Sequence, residues 1–199
     1  MLVVVLVGVG VAWAWSRLTT PPTDKKPVER MPDFTLQDRS GRRISRADLR
    51  GRPWVADFIF TGCAGPCPIM SGHMTALQAA FADTPARFVS FSLDPDRDTP
   101  AVLDEYADRF DADPDRWFFL TGDHDTIYRI ATEGLGLVAR TATPAERDDG
   151  SDRIIHSTLF VLVDAEGRIA GRYLSTSEAD LDNLREDLRT LCDPEQPAS

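Results

Sequence analysis

The hydrophobic positions of this chain form short apolar runs, which alternate with longer segments where they recur at helical spacing. Trp54–Phe60 and Ala86–Leu93 are rich in aromatic and β-branched residues and predict buried strands. Proline suits the first turn of a helix, so one helix is predicted from about Pro66 to Phe81. Another runs from Pro100 to about Phe110, with Thr99 as its N-cap. Such alternation of strands and helices indicates an α/β sandwich.

The same alternation continues through the second half of the chain. An acidic stretch with proline and glycine, Thr143–Asp152, indicates an exposed loop. The turn sequence Asp164–Gly167 predicts a hairpin between the strands on either side of it. Further strands are predicted over Phe34–Leu36, Trp117–Leu120, Gly134–Arg140, Thr158–Val163 and Arg168–Leu174, and further helices over Asp123–Thr132 and from Thr176 or Ser177 to Leu191.

The N-terminal segment Leu2–Trp15 contains only apolar residues and glycine, and its 14 residues are fewer than the roughly 20 of a full membrane span. We favour an uncleaved anchor; a signal-peptide core ending near Ala12–Ala14 and a buried helix are the alternatives. Arg17, Lys25 and Lys26 follow the segment, which taken alone would place the domain in the cytoplasm. The predicted organisation is an anchor or signal at 1–18, a proline-rich tether at 19–30, a folded domain at 31–192 and a loose tail at 193–199.

Composition narrows the classes of partner. The chain has 199 residues, which is enough for one domain with a substantial core. Its net charge of −10 argues against nucleic acid as a partner. Three cysteines are too few for a disulfide scaffold and suggest a functional pair plus one bystander thiol, Cys192.

The functional pair is Cys63 and Cys67, which follow the first core strand with three residues between them. The backbone partial charge at the start of the predicted helix is expected to favour thiolate over thiol at both positions. Such a pair suits a redox dithiol or a pair of soft ligands for a thiophilic metal, and two inert buried cysteines are the third possibility. Its place after the first core strand of an α/β unit points to a thioredoxin-like fold.

Disulfide oxidoreductases normally have two residues between their cysteines, and although the longer spacing here still permits a disulfide, it changes how the sulfurs approach each other. His156 directly precedes a buried strand, at the sheet end expected to face the cysteine turn, and Ser157 stands about where thioredoxin-like enzymes have a cis-proline. Two thiolates and one imidazole suit Cu(I), and a carboxylate or water as fourth ligand suits Cu(II). The alternative is a strand-end histidine bonded to backbone.

Other side chains that resemble ligands are assigned structural roles. Asp94, Asp96 and Asp98 resemble a cluster for a hard cation, but the run lacks the loop length and glycine of a calcium-binding loop. We therefore interpret it as a turn and a helix start. Surface positions are expected for His73 and His124, and helix packing for Met70 and Met74.

Four stretches carry a resemblance to a known family. They are Asp57–Met70 with both cysteines, Leu93–Pro100, Leu120–Gly122, and His156–Leu159 followed by Asp164. In order and spacing they resemble the Sco/SenC family, copper proteins that assist the assembly of cytochrome c oxidase, over about residues 31–191. The resemblance implies that copper, as Cu(I), Cu(II) or both, binds to Cys63, Cys67 and His156.

The resemblance also implies a role and a location. The role is delivery of copper to the CuA centre of cytochrome c oxidase subunit II, reduction of that subunit's cysteines, or both. The implied location is a membrane anchor with the domain on the outer, extracytoplasmic face. Two other functions remain open: a membrane-anchored thiol–disulfide oxidoreductase or peroxidase of the same fold, and a redox or copper sensor.

Overall fold

The computed structural model describes residues 29–134, 136 and 158–193, together with the backbone of 139–141 and 154–156. The strands are β1 (Thr35–Asp38), β2 (Arg43–Ser45), β3 (Trp54–Ile59), β4 (Arg87–Ser92), β5 (Trp117–Thr121), β6 (Ala139–Thr141), β7 (Ile154–His156), β8 (Leu159–Val163) and β9 (Ile169–Leu174). The α-helices are α1 (Pro66–Ala80), α2 (Pro100–Asp108), α3 (His124–Arg129) and α4 (Glu178–Cys192), with a 3-10 helix at Arg46–Leu49 and a π-helical turn at Ile130–Gly134.

Seven strands form one mixed sheet in the order β2-β1-β5-β4-β3-β8-β9. The three central strands β3, β4 and β5 are parallel, while β8 is antiparallel to β3 with Ala56 opposite Val161. β6 and β7 form a separate antiparallel pair. Every residue of β3 is buried, as its sequence, apolar except for Asp57, predicted. The carboxyl end of this central strand leads into the cysteine turn.

Helix α1 packs one face on the sheet, because its buried residues recur every three or four positions. Met70 and Met74 are fully buried on this face, which confirms that they pack the core. Aromatic side chains pack the opposite face of the sheet, where Phe58 of β3 stacks on Phe91 of β4 with ring centroids 5.2 Å apart. The cysteine turn therefore rests on a closely packed support.

The closing helix α4 has the predicted amphipathic pattern. Ser177 rather than Thr176 is its N-cap and accepts a hydrogen bond from the Asp180 amide. The helix is fixed to β9 by a 2.6 Å hydrogen bond from the Tyr173 hydroxyl to the Asp187 carboxylate. The buried residues of this helix are Leu181, Leu184 and Leu188.

Two strand predictions differ from the structure. The strand predicted over Gly134–Arg140 does not begin at Gly134, because that residue ends the π-helical turn, and β6 is described from Ala139 to Thr141. A Cβ atom there would overlap Pro32, so this turn needs a glycine. Ile154–His156, which the sequence analysis did not predict as a strand, forms β7 and pairs with β6.

Several predictions concern parts of the chain that the structure does not describe. Segments 1–28, 142–153 and 194–199 lie outside the described residues, and with them the predicted anchor, most of the tether, the acidic loop and most of the tail. Within the part that is described, no helix is both long and apolar enough to cross a membrane.

Candidate metal site

The two cysteine sulfurs lie at the junction of β3 and α1. Beyond Ile59 the chain turns, and the Cys63 amide donates to the Phe60 carbonyl at 3.1 Å. Helix α1 begins at Pro66 after Gly65, which has no side chain to cap the helix. The amide of Cys67 instead donates to the Cys63 sulfur at 3.5 Å. That sulfur thus satisfies an amide that the helix leaves unpaired.

The two sulfurs have different surroundings. Cys67 is completely buried, and Cys63 is 6% exposed beside the exposed Ala64 and Gly65. The side-chain hydrogen bond with Cys63, together with burial, raises the pKa of the Cys67 thiol. The expectation that the helix start favours thiolate at both cysteines is therefore wrong for Cys67. A metal that uses this sulfur must displace its proton.

A buried polar cluster, which the sequence analysis did not predict, lies on the inner side of Cys67. Ser71 and Tyr106, both almost fully buried, share a hydrogen bond of 2.9 Å between their hydroxyls. Burial raises the pKa of Tyr106, and the negative charge of the buried Asp57 adds to the increase both there and at Cys67. The sequence signal was one charged residue inside an otherwise apolar strand.

A side chain in the loop that follows β4 holds the turn before Cys63. The Asp98 carboxylate, 1% exposed, accepts hydrogen bonds from the amide and hydroxyl of Thr61. The acidic run was interpreted as a turn and a helix start, and Thr99 does cap α2 by accepting from the Val102 amide. The contact of Asp98 with Thr61 could not be predicted from the sequence, because the two residues are 37 positions apart.

His156 is placed by its backbone. It is the last residue of β7, opposite Ala139. Because β8 is antiparallel to β3, β8 begins at the end of the sheet where the cysteine turn lies. Its side chain lies outside the described residues, so its contact with the sulfurs stays a prediction. Among the side chains that are described, no three or more of His, Cys, Asp and Glu are grouped to hold a metal.

The remaining candidates take structural positions. His73 is half-buried, edge-on to Phe160 with ring centroids 6.5 Å apart, so the surface position expected for it is only partly right. His124 is exposed, as expected, and stacks on Tyr128 at 4.1 Å. Cys192, a free thiol at the end of α4, is partly buried against the core.

The geometry agrees with what comparison with known proteins finds. The family model for SCO1/SenC matches residues 22–193. This chain belongs to the SCO1/SenC family. The match spans β1 to α4 and includes Cys63, Cys67 and His156.

Solved structures of this family share the thioredoxin-like fold. A SCO1/SenC family lipoprotein from Bacillus anthracis str. Ames is 29% identical with a TM-score of 0.74, covering 85% of this chain and 99% of that one. BsSco, which contains a disulfide switch and belongs to the Sco family of cytochrome c oxidase assembly proteins, is 31% identical with a TM-score of 0.70, covering 83% and 95%. ScoI from Bradyrhizobium japonicum with copper bound is 24% identical with a TM-score of 0.64, covering 81% and 99%, and shows the fold alone.

Proposed function

We propose that Cys63, Cys67 and His156 bind copper, and that the protein assists assembly of the CuA site in cytochrome c oxidase subunit II. The observation that carries the proposal is the pair of buried thiols at one strand–helix junction, with the Cys67 amide 3.5 Å from the Cys63 sulfur, in a SCO1/SenC family member. Relatives at 30% identity or above include a protein from Stutzerimonas stutzeri that is named as copper-binding and BsSco, a member of the Sco family of cytochrome c oxidase assembly proteins.

The donor set fits copper better than a hard cation. Two thiolates are soft ligands that select Cu(I), and an imidazole completes a three-coordinate site. The chain length between β8 and the histidine supports this assignment, because the three residues from His156 to Leu159 span at most about 10 Å. The start of β8 lies at the cysteine end of the sheet. A histidine this close to the start of β8 can therefore reach the cysteine turn.

The same two sulfurs support either of two steps in assembly. With both cysteines reduced, the protein can hold copper and deliver it to subunit II. By forming a disulfide, the reduced pair can instead supply two electrons and two protons to a disulfide of that subunit. One pair of sulfurs cannot do both at once, so copper binding and thiol reduction exclude each other at any moment.

The proposed location is the outer face of a membrane. An apolar segment, Leu2–Trp15, precedes the domain, and a relative from Bacillus anthracis is a lipoprotein. The location is tested in cells that express the full chain with a C-terminal tag. The membrane fraction is isolated first, and cells without their outer layers but with an intact inner membrane are then treated with protease. Protection of the tag from protease would contradict an outer position.

Substituting the histidine gives the sharpest test of the copper site. His156→Ala is expected to lower the copper affinity of the reduced protein by at least about tenfold, since one of three ligands is lost. Affinity is measured by competition with a Cu(I) chelator at fixed pH, alongside metal content, which is expected to be one copper per wild-type chain.

The other two histidines of the chain provide matched controls. His73→Ala and His124→Ala are expected to keep wild-type affinity, because His73 packs against Phe160 and His124 is an exposed residue that stacks on Tyr128. Affinity of His156→Ala equal to that of His124→Ala would remove histidine from the ligand set.

The competing function is a thiol–disulfide oxidoreductase that works without metal. It predicts reduction of an oxidised CuA domain by the metal-free protein with many turnovers in a glutathione buffer. Copper-free turnover together with no copper binding by the reduced wild-type chain would favour this enzyme over the assembly factor. The raised pKa of Cys67 argues against that sulfur as the attacking thiolate.

A further inference from the structure

We propose that Asp98 is a positioning residue for the metal turn: its buried carboxylate holds Thr61–Gly62 in the conformation that presents the Cys63 sulfur to Cys67. The proposal deepens the proposed function, because copper affinity is one of its readouts. A second readout, the stability of the Cys63–Cys67 disulfide, needs no metal and tests Asp98 independently.

The carboxylate has a full set of hydrogen-bond donors. The Thr61 amide lies 3.3 Å from Oδ1 and 3.2 Å from Oδ2, and the Thr61 hydroxyl lies 2.5 Å from Oδ1. The Ser92 hydroxyl lies 2.5 Å from Oδ2. No Lys, Arg or His side chain forms an ion pair with Asp98 among the described residues. Hydrogen bonds, rather than an ion pair, therefore offset the free-energy cost of burying this carboxylate.

Those donors connect the carboxylate to the turn on one side and to the sheet on the other. Ser92 is the last residue of β4, and its hydroxyl also accepts from the Asp94 amide at 3.1 Å. The next residue, Leu93, donates its amide to the Ile59 carbonyl at 2.8 Å, at the end of β3. Asp98 thus joins the ends of two parallel central strands through the residue that begins the cysteine turn.

This arrangement makes the conformation of the turn depend on Asp98. Thr61 stands two residues before Cys63, and only Gly62 separates them. If the turn moved away, a buried carboxylate would lose two of its donors, and leaving a buried charge without hydrogen bonds is costly. The carboxylate is not used to start α2, since Thr99 provides that cap. The geometry points to the turn as the feature that Asp98 serves.

Asp98→Asn is the main test variant, because it keeps the size of the side chain and replaces one acceptor oxygen with the NH2 donor of an amide. It is expected to weaken copper binding to the reduced chain about tenfold, the lower end of the loss on removing an outer hydrogen-bond partner of a metal ligand, because Asp98 acts on the turn that carries Cys63 and not on a ligand itself. It is also expected to make the disulfide easier to reduce, because a looser turn holds the sulfurs together less often.

The metal-free readout is the equilibrium in which reduced protein and glutathione disulfide exchange for the Cys63–Cys67 disulfide and two reduced glutathione molecules. Asp38→Asn is the matched control. Asp38 is also a buried carboxylate that holds a turn, 2% exposed, and it accepts from the Ser40 and Arg42 amides at 2.9 Å each. Its substitution is expected to lower stability while leaving copper affinity and the glutathione equilibrium at wild-type values.

Two variants of the partner residue keep the test decisive if Asp98→Asn does not fold. Thr61→Val removes the hydroxyl at nearly constant volume and is expected to shift both readouts in the direction of Asp98→Asn. Thr61→Ser retains the hydroxyl and is expected to restore wild-type values. If Thr61 had only a structural role, Thr61→Val would lower the unfolding free energy, but copper affinity and the glutathione equilibrium would be the same in Thr61→Val and Thr61→Ser.

The outcomes separate this proposal from the copper proposal. If the reduced wild-type chain binds no copper but Asp98→Asn and Thr61→Val shift the glutathione equilibrium, the positioning role stands and the copper role fails. If both variants leave copper affinity and the glutathione equilibrium unchanged, as Asp38→Asn does, the positioning role is overturned whatever the metal result.

Discussion

The buried hydroxyl pair beneath Cys67 allows a quantitative test of how the site is supported. Ser71 of α1 and Tyr106 of α2 are 0% and 1% exposed, and their hydroxyls are 2.9 Å apart. Removing one hydroxyl leaves the other buried without this partner, a change that costs about 1–3 kcal/mol. Tyr106→Phe is therefore expected to lower the unfolding free energy by about 1–2 kcal/mol.

The double variant Ser71→Ala with Tyr106→Phe sharpens the prediction. It removes both partners together, so no hydroxyl of this pair is left unpaired, and its cost is expected to be smaller than the sum of the single costs by about 1 kcal/mol. Urea unfolding of the reduced, metal-free protein at pH 7 measures all four members of the cycle. Additive costs, each below about 0.3 kcal/mol, would refute the idea that this bond joins the two helices.

The same pair has a pH signature with a definite sign. Burial raises the pKa of Tyr106 above its ordinary value of about 10. A group whose pKa is higher in the folded protein stabilises it below the unfolded pKa and loses that effect as pH rises. Wild-type stability is therefore expected to fall more steeply above pH 10 than that of Tyr106→Phe. Parallel curves between about pH 9 and 11 would contradict this assignment.

The remaining predictions concern turns and caps away from the sulfurs. Burial alone would raise the pKa of Asp38, but hydrogen bonds from Ser40 and Arg42 lower it overall, so its stabilising effect is present above about pH 4 and is lost as pH falls. In Asp38→Asn, the unfolding free energy measured with urea should therefore decrease less as the pH falls below about 4. An equal decrease in the variant and the wild type would show that these bonds do not favour the ionised form. Thr99→Ala should cost about 1 kcal/mol by removing the cap of α2 while Thr99→Ser keeps most of it, and equal thermal midpoints for the two variants would contradict the cap.

The order of elements and the identity of the cysteine pair could be predicted from local pattern. The apolar run at Trp54 and the prolines flanking Cys67 determine where the strand ends and the helix begins, because proline fits only the first helical turn. Thr99 was likewise recognisable as a cap from its place before Pro100. The family resemblance, carried by motifs in order, added the expected copper ligands and is confirmed as to family by the match over residues 22–193.

Contacts between distant segments could not be predicted in this way. Asp98 looked like one member of an acidic run, and only the parallel pairing of β3 with β4 brings it to Thr61. The helix start suggested two activated thiols, yet the pKa of Cys67 is raised, because its hydrogen bond with Cys63 and its complete burial favour the protonated thiol. Sequence by itself determined which residues have the chemistry for the site and which elements carry them. Tertiary structure decided which of those groups are desolvated and which side chains hold them, since burial and hydrogen bonding depend on neighbours far along the chain.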